Sequence, residues 1–293
     1  MRDSELQPGP GKGASKRPRR SRGGIAKWAL IGIVFIYAGV LLAGPLVAII
    51  WGSLAGGTGE FLRAITSPDA LSALRLTLII SAGASAVNTI FGLCVAWVLV
   101  RDRFPGRQIV NGLVDLPFAV SPVIAGLMLI LMFGRGGWFT PITDALGIKV
   151  VFAMPAMFLA TIFVSLPFVI REVMPILAQL GTTQENAAYT MGARPVQTFW
   201  HVTLPSIRWR LLYGISLTFA RGLGEFGALV VVSGGVSGLT ETATLFIFRS
   251  LDDRNYVGAY AMALVLASIS FSILMMMEVV RKRVERTKQV DTG

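Results

Sequence analysis

The chain has 293 residues, 54% of them hydrophobic and 15% charged, with a mean hydropathy of +0.66. That is too apolar for an ordinary soluble domain and marks an integral membrane protein. The net charge of +11 would suggest nucleic acid as partner of a soluble protein, but in a membrane chain its distribution reports topology instead.

An apolar helix needs roughly 20 residues to cross about 30 Å of hydrocarbon, so each long uncharged run is a span. Residues 1–24, rich in Gly, Pro, Ser and Arg, cannot bury a core and are expected to form a disordered basic tail attracted to anionic lipid. Within them Gly9-Pro10-Gly11-Lys12-Gly13 faintly resembles a phosphate loop. It lacks the first glycine, the Ser or Thr after Lys12 and a preceding strand, so it is read as tail.

Six spans follow, over 25–51, 74–100, 109–133, 150–180, 211–232 and 257–280, with a basic tail over 281–293. The first is long enough to cross and stay, which makes it an anchor rather than a cleaved signal. The second holds the lone Cys94 and stops abruptly at Arg101-Asp102-Arg103. In the third, Pro117 and Pro122 are expected to break backbone bonding and bend the helix, as are Pro167 and Pro175 in the fourth. Nineteen Lys and Arg lie in the N-terminal stretch, the second and fourth connections and the C-terminal tail, against six in the opposite loops and adjoining span ends. Both termini are therefore expected in the cytoplasm.

Between the fourth and fifth spans, residues 181–207 form a polar cytoplasmic connection. Thr182 and Glu185 have the spacing of a helix N-cap with its reciprocal acidic partner, and Ala187-Ala188 continue a good helix former. Gly192 stands where that helix would end in a left-handed turn, and Pro195 prevents its resumption. Phe199, Trp200 and Val202 give an apolar side, His201 sits among them as a partly exposed contact, and Leu204-Pro205 mark re-entry. The result is a short helix outside the membrane with an alanine patch open to another surface.

In the fifth span Arg221 and Glu225 lie four apart on one face, where a lipid-facing charge costs roughly 2.5–3.5 kcal/mol, so both should face protein or a pathway. Two readings stand: an internal ion pair between helices, or residues lining a passage. Gly222, Gly224 and Gly227 around them permit close helix approach. One His, one Cys, and no HExxH or nucleophile-elbow pattern leave no metal site or catalytic group, so the chain is read as a non-enzyme.

The pattern Asn186-Ala187-Ala188-x-x-x-Gly192-Ala193, then Phe199, Val202 and Leu204-Pro205, resembles the EAA loop of ABC importer permeases, which inserts a coupling helix into a cleft of a cytoplasmic ATPase. The resemblance assigns ATPase coupling to Glu185, Asn186, Ala187, Ala188, Tyr189, Gly192, Ala193, Leu204 and Pro205. The family carries Glu where this chain has Asn186, with Glu185 adjacent. The run Phe118-Ala119-Val120-Ser121-Pro122-Val123-Ile124-Ala125-Gly126-Leu127, the run from Leu217 to Ala228, and Val232-Ser233-Gly234 resemble the W-type (CysW-like) permease subunits of sulfate/thiosulfate importers. Molybdate permeases share the Ala-Arg-x-x-Gly-Glu-Phe-Gly core around Arg221 and Glu225, so the first run discriminates better.

The resemblance implies an all-α membrane protein of the bacterial inner membrane, with six transmembrane helices in the ABC importer permease (MetI-like) fold and a coupling helix between helices 4 and 5. It implies a T-type second permease, two copies of an ATPase that uses ATP and Mg, and an extracytoplasmic sulfate-binding protein; no cofactor is expected on this chain. A desolvated dianion needs donors and positive charge. Ser121, Ser216, Thr218 and Arg221 are assigned to supply them, with Pro122 and Glu225 completing the translocation set. Alternatives are a molybdate or tungstate importer, an ion-coupled secondary carrier, and a membrane scaffold without transport.

Overall fold

In a computed structural model, secondary structure is described for residues 23–290 and side chains for 27–281, so nearly all of the tail expected over 1–24 lies outside the described residues, whereas the last helix continues through residue 290, into the segment 281–293 expected as a tail. The chain divides into two units, Met1–Ala48 and Ile49–Gly293. The first holds most of α1 (Gly23–Leu54), an apolar helix that tolerates Pro45 in its interior.

The second unit runs through α2 (Thr58–Thr66), α3 (Pro68–Arg101), α4 (Arg107–Ala119), α5 (Pro122–Phe133), α6 (Thr140–Ala145), α7 (Met154–Leu180), α8 (Thr183–Thr190), α9 (Pro195–Thr198), α10 (Leu204–Leu223), α11 (Gly227–Val232), α12 (Ala243–Asp252) and α13 (Tyr256–Val290). A π-helical turn over Phe199–Thr203 joins α9 to α10. Pro68 stands in the first turn of α3, where its missing N–H costs nothing, and the Ser67 hydroxyl caps that helix by accepting from the Ala70 N–H at 3.3 Å.

The helices α3, α7 and α10 form the centre. Small residues bring their backbones together: a Cβ on Gly214 would sit 3.2 Å from Val169 Cα, and one on Gly222 would sit 3.3 Å from Ser81 Cα. Around these contacts Ala96, Leu99, Val169, Ile170, Val173, Leu177 and Ile207 are fully buried. Polar side chains lock the same interfaces. Asn88 Nδ2 donates to Ile162 O at 3.0 Å and to Ser165 Oγ at 2.9 Å, and Ser85 Oγ donates to Ile215 O at 3.2 Å. A second core joins α3 and α7 to α11 and α12, and a third joins α3 to α12 and α13.

Ion pairs tie the outer helices to this centre. The Arg171 guanidinium forks onto Asp115, with Nε donating to Oδ1 at 2.8 Å and Nη2 to Oδ2, while Nη1 reaches Asn111 Oδ1 at 3.1 Å. This braces α4 against α7. Arg249 of α12 pairs with Glu241 at 2.6 Å and with Asp69 of α3 at 3.4 Å. Burial lifts the Glu241 carboxyl above its ordinary value, against the pull of Arg249.

The spans depart from expectation in several places. Among the described residues four helices are long and apolar enough to cross a membrane, or five if α4 and α5 count as one span, not six. The third span is a bent pair, with 110° between α4 and α5. The bend falls at Val120-Ser121, both extended, because Pro122 disfavours helical backbone before it; Pro117 stays inside α4 without breaking it. The fourth span begins at Met154 rather than at 150 and continues unbroken through Pro167 and Pro175, so neither proline ends that helix. The fifth span starts earlier, at Leu204, because Pro205 is tolerated in a first turn, and it breaks at Gly224-Glu225-Phe226 into α10 and α11. Three arginines in α10 (Arg208, Arg210 and Arg221) keep it from reading as a plain apolar span. The sequence also gave no sign of α2, α6 and α12, which are short and lack a long apolar run.

Candidate functional site

The helix α8 stands on a two-sided hinge. Gly181 enters it at φ +60° and Gly192 leaves it at φ +88°, backbone conformations that a side chain would strain. The Gly192 N–H reaches Tyr189 O at 2.9 Å and the Ala193 N–H reaches Ala188 O at 3.0 Å, closing the helix end. Pro195 then opens α9, and the Arg194 N–H donates to Gln197 Oε1 at 2.9 Å.

The expected reciprocal cap does not form. Thr182 occupies the N-cap position and its carbonyl accepts from the Asn186 N–H at 2.8 Å, but its hydroxyl caps no backbone N–H and meets only Asn186 Nδ2 at 3.5 Å. Glu185 turns inward instead. Its side chain is 8% exposed and lies 2.9 Å from Arg101 Nη2 at the end of α3, and Oε1 also accepts from Thr203 Oγ1 at 3.0 Å. Arg101 Nη1 donates to Leu177 O of α7 at 3.2 Å. Its guanidinium lies 5.6 Å from the Trp97 ring, and that ring meets Phe199 edge-on at 5.7 Å. The reason is energetic: a carboxylate facing a buried guanidinium gains more than one bonding its own first turn in water.

With Glu185 and Ala188 buried, the outward face of α8 and the next turn presents Asn186, Ala187, Tyr189, Met191, Val196 and Trp200. Gly192 is open, Ala193 and Leu204 are half-buried, and Pro205 is exposed at the start of α10. His201 is exposed and its Nδ1 lies 3.0 Å from Gln197 O. The sequence reading missed Arg101 and Thr203. Arg101 sits 84 residues from Glu185, inside a charged run that reads equally well as a span terminator.

The predicted translocation residues separate into two groups. Ser121 is exposed and Pro122 half-buried at the α4–α5 elbow. That elbow meets the α10–α11 break: a Cβ on Gly227 would sit 3.0 Å from Pro122 Cβ, and one on Gly126 would sit 2.8 Å from Ala228 O. Gly222 and Gly227 are thus close-approach glycines, whereas Gly224 has no neighbour nearer than 4.0 Å. Arg221 is one-third exposed beside this junction, at 2.8 Å from Glu225 Oε2. Glu225 itself is 1% exposed. Its Oε1 accepts from the Ala228 N–H at 2.9 Å and its carbonyl from Thr244 Oγ1 at 2.8 Å, so it holds the break rather than a surface. Ser216 and Thr218 are buried, and their hydroxyls donate to Leu212 O at 3.0 Å and Gly214 O at 2.8 Å. Facing their own helix, these two offer no donor to a passing anion. Among the described residues no three His, Cys, Asp or Glu side chains gather as a metal site.

Two broken helices packed at their breaks, and a short polar helix in the connection from α7 to α10, invite comparison with known membrane proteins. Residues 88–286 match the family described as binding-protein-dependent transport system inner membrane component. The chain belongs to that family. This permease is 43% identical over 264 residues to the sulfate transport system permease protein CysW of Synechocystis sp., a match covering 90% of this chain and 96% of the relative. The sulfate transport system permease protein CysT of the same organism is 35% identical over 250 residues, covering 85% and 87%. Among solved structures, a chain from a bacterial ABC transporter involved in import of the acidic polysaccharide alginate superimposes with a TM-score of 0.74, covering 89% of this chain and 96% of that one. At 16% identity this last likeness concerns fold alone. The permease therefore has the all-helical MetI-like ABC permease fold of a multi-pass inner-membrane protein.

Proposed function

We propose that this permease is a membrane subunit of an ATP-driven sulfate importer, forming one half of the translocation path and carrying no catalytic group of its own. It pairs with a T-type permease, and an extracytoplasmic binding protein delivers sulfate or thiosulfate to the cavity between them. Two copies of a cytoplasmic ATPase, which bind all the ATP and Mg, grip α8 and its counterpart in the second permease. Both termini lie in the cytoplasm, on the side of the basic loops. The observation that carries this reading is α8 itself: a short helix with a small-residue, partly apolar outer face, fixed by its inner face to the end of α3 and the turn before α10, and through Arg101 to the end of α7. A rigid element of that kind turns closure of a partner into movement of the attached spans.

On the pathway side the proposal rests on Arg221, whose partly exposed guanidinium sits at the junction of two helix breaks, with Ser121 and Pro122 at the facing elbow. Irregular backbone at membrane depth is tolerated where it lines a water-filled cavity. Glu225 neutralises part of the arginine charge, which keeps anion contact weak enough for release. Sulfate as cargo follows the CysW and CysT relatives, and molybdate is the competing cargo.

The test is sulfate uptake by the assembled importer in proteoliposomes, with Gly192→Leu as the variant. An added Cβ at Gly192 meets nothing within 4 Å in this chain, so within the permease the substitution acts first by straining the φ +88° turn that ends α8. ATP-driven uptake should be lost, and normal uptake by the variant refutes the coupling role of α8. Excess thiosulfate should compete with labelled sulfate; competition by molybdate alone would move the cargo to the molybdate class.

A further inference from the structure

We propose that Arg101 and Glu185 form the latch that passes movement of α8 to the transmembrane helices, and that the Glu185 carboxylate serves this internal link rather than contact with the ATPase. The inference rests on the importer reading above and adds to its coupling machinery a residue from α3. One carboxylate oxygen joins three parts of the chain. Glu185 Oε1 takes Arg101 Nη2 at 2.9 Å and Thr203 Oγ1 at 3.0 Å, and Arg101 continues the connection to the Leu177 carbonyl at 3.2 Å. The ends of α3 and α7 and the turn leading into α10 thus meet at a single charged point beneath α8.

Burial decides what this point can do. The two side chains are 11% and 8% exposed, so water neither screens the pair nor replaces it when it shifts. A partner pushing on the outer face of α8 cannot roll the helix without pulling Arg101, and with it α3. An ordinary tether would not need charge here, since Ala188 already buries a methyl against the same side. Nor is Glu185 available for docking, because Asn186, Ala187 and Tyr189 occupy the outward positions. The departure from the family Glu at Asn186 touches only that outward face. The latch predicts that docking tolerates Asn186, while transmission depends on its buried neighbour.

The experiment measures ATP hydrolysed per sulfate imported by the complete importer in proteoliposomes, for Glu185→Gln, Arg101→Lys and Thr203→Val. Loss of a hydrogen bond to a charged group should raise the ratio about tenfold in Glu185→Gln and Arg101→Lys, with the ATPase still co-purifying, and by a smaller factor in Thr203→Val. An unchanged ratio in Glu185→Gln overturns the latch, as does loss of the ATPase from the purified complex, which would make Glu185 a docking residue. If the Glu185→Gln permease itself fails to fold and cannot be purified, Thr203→Val decides, because it keeps both charges; a ratio equal to that of the unaltered importer then overturns the proposal. Sulfate uptake by the unaltered permease in vesicles without any ATPase is a separate outcome, which removes the importer reading itself.

Discussion

Two glycines in adjacent helices give opposite responses to the same change. Gly126, in α5, faces α11: an added Cβ would lie 2.8 Å from Ala228 O and 3.0 Å from Val231 Cβ. An unstrained carbon–oxygen contact is roughly 3.4 Å, so α5 and α11 must separate by about 0.6 Å or the side chains must shift. Backbone cannot give way as a flexible side chain does, and overpacking of this kind costs about 1–3 kcal/mol. Gly112, in α4, has nothing within 4 Å of an added Cβ. There Gly→Ala gains only helix propensity, about 1 kcal/mol. Both positions are helical, so the propensity gain cancels when Gly126→Ala is compared with Gly112→Ala, and the difference isolates the close approach of the two broken helices. Thermal unfolding of the purified permease in detergent should place the Gly126→Ala midpoint roughly 2–12 °C below that of Gly112→Ala. Equal midpoints would mean that α5 and α11 are not packed at this distance, and the junction assigned to the pathway would lose its basis.

Further outcomes follow from the ion pairs. Glu185→Ala leaves Arg101 buried without a counter-charge and should destabilise the permease by about 3–5 kcal/mol, whereas Asn186→Ala, on the exposed face of the same helix, should cost at most about 0.5 kcal/mol. Denaturation of the two variants side by side checks the order, and an equal or larger loss for Asn186→Ala would contradict it. Arg221→Gln should lower sulfate uptake at least about tenfold at unchanged protein level, because removing a charged donor at the junction sacrifices a contact of the charged class; uptake equal to the unaltered permease would take Arg221 out of the path. Because burial raises the Glu241 carboxyl, the stability it contributes is complete below its ordinary value of 4.5 and is lost as pH rises through the folded value. Relative to Glu241→Gln, the unaltered permease should therefore lose thermal stability as pH climbs above 4.5, and parallel pH profiles would argue that Arg249 dominates the pair instead.

Much of the architecture could be read directly from the residues. Long uncharged runs force α1, α3, α7 and α13, because an unpaired backbone group cannot survive in hydrocarbon and a helix pairs all of its own. The glycine at 192 and proline at 195 fix the end of α8, and Pro122 fixes the elbow before α5, since these residues act through local backbone sterics alone. The limits of local reading show in the same helices. Pro117, Pro167 and Pro175 have the chemistry of Pro122 yet break nothing, because packing on α7 or within α4 holds the helix across the missing bond.

Which charges meet was decided by tertiary structure. Thr182 and Glu185 carry a capping spacing, but Glu185 found a better partner in Arg101, brought beside it only when α3 and α7 pack. Ser216 and Thr218 have the right chemistry for an anion path, yet the rotation of α10 against α3 and α7 buries them. Sequence determined the long apolar helices, the elbow at Pro122, the end of α8 and the family, because those depend on neighbours along the chain. Which face each helix turns inward, and hence which arginine meets Glu185 and which remains part-exposed beside the α5–α11 junction, depends on contacts between residues far apart in the chain.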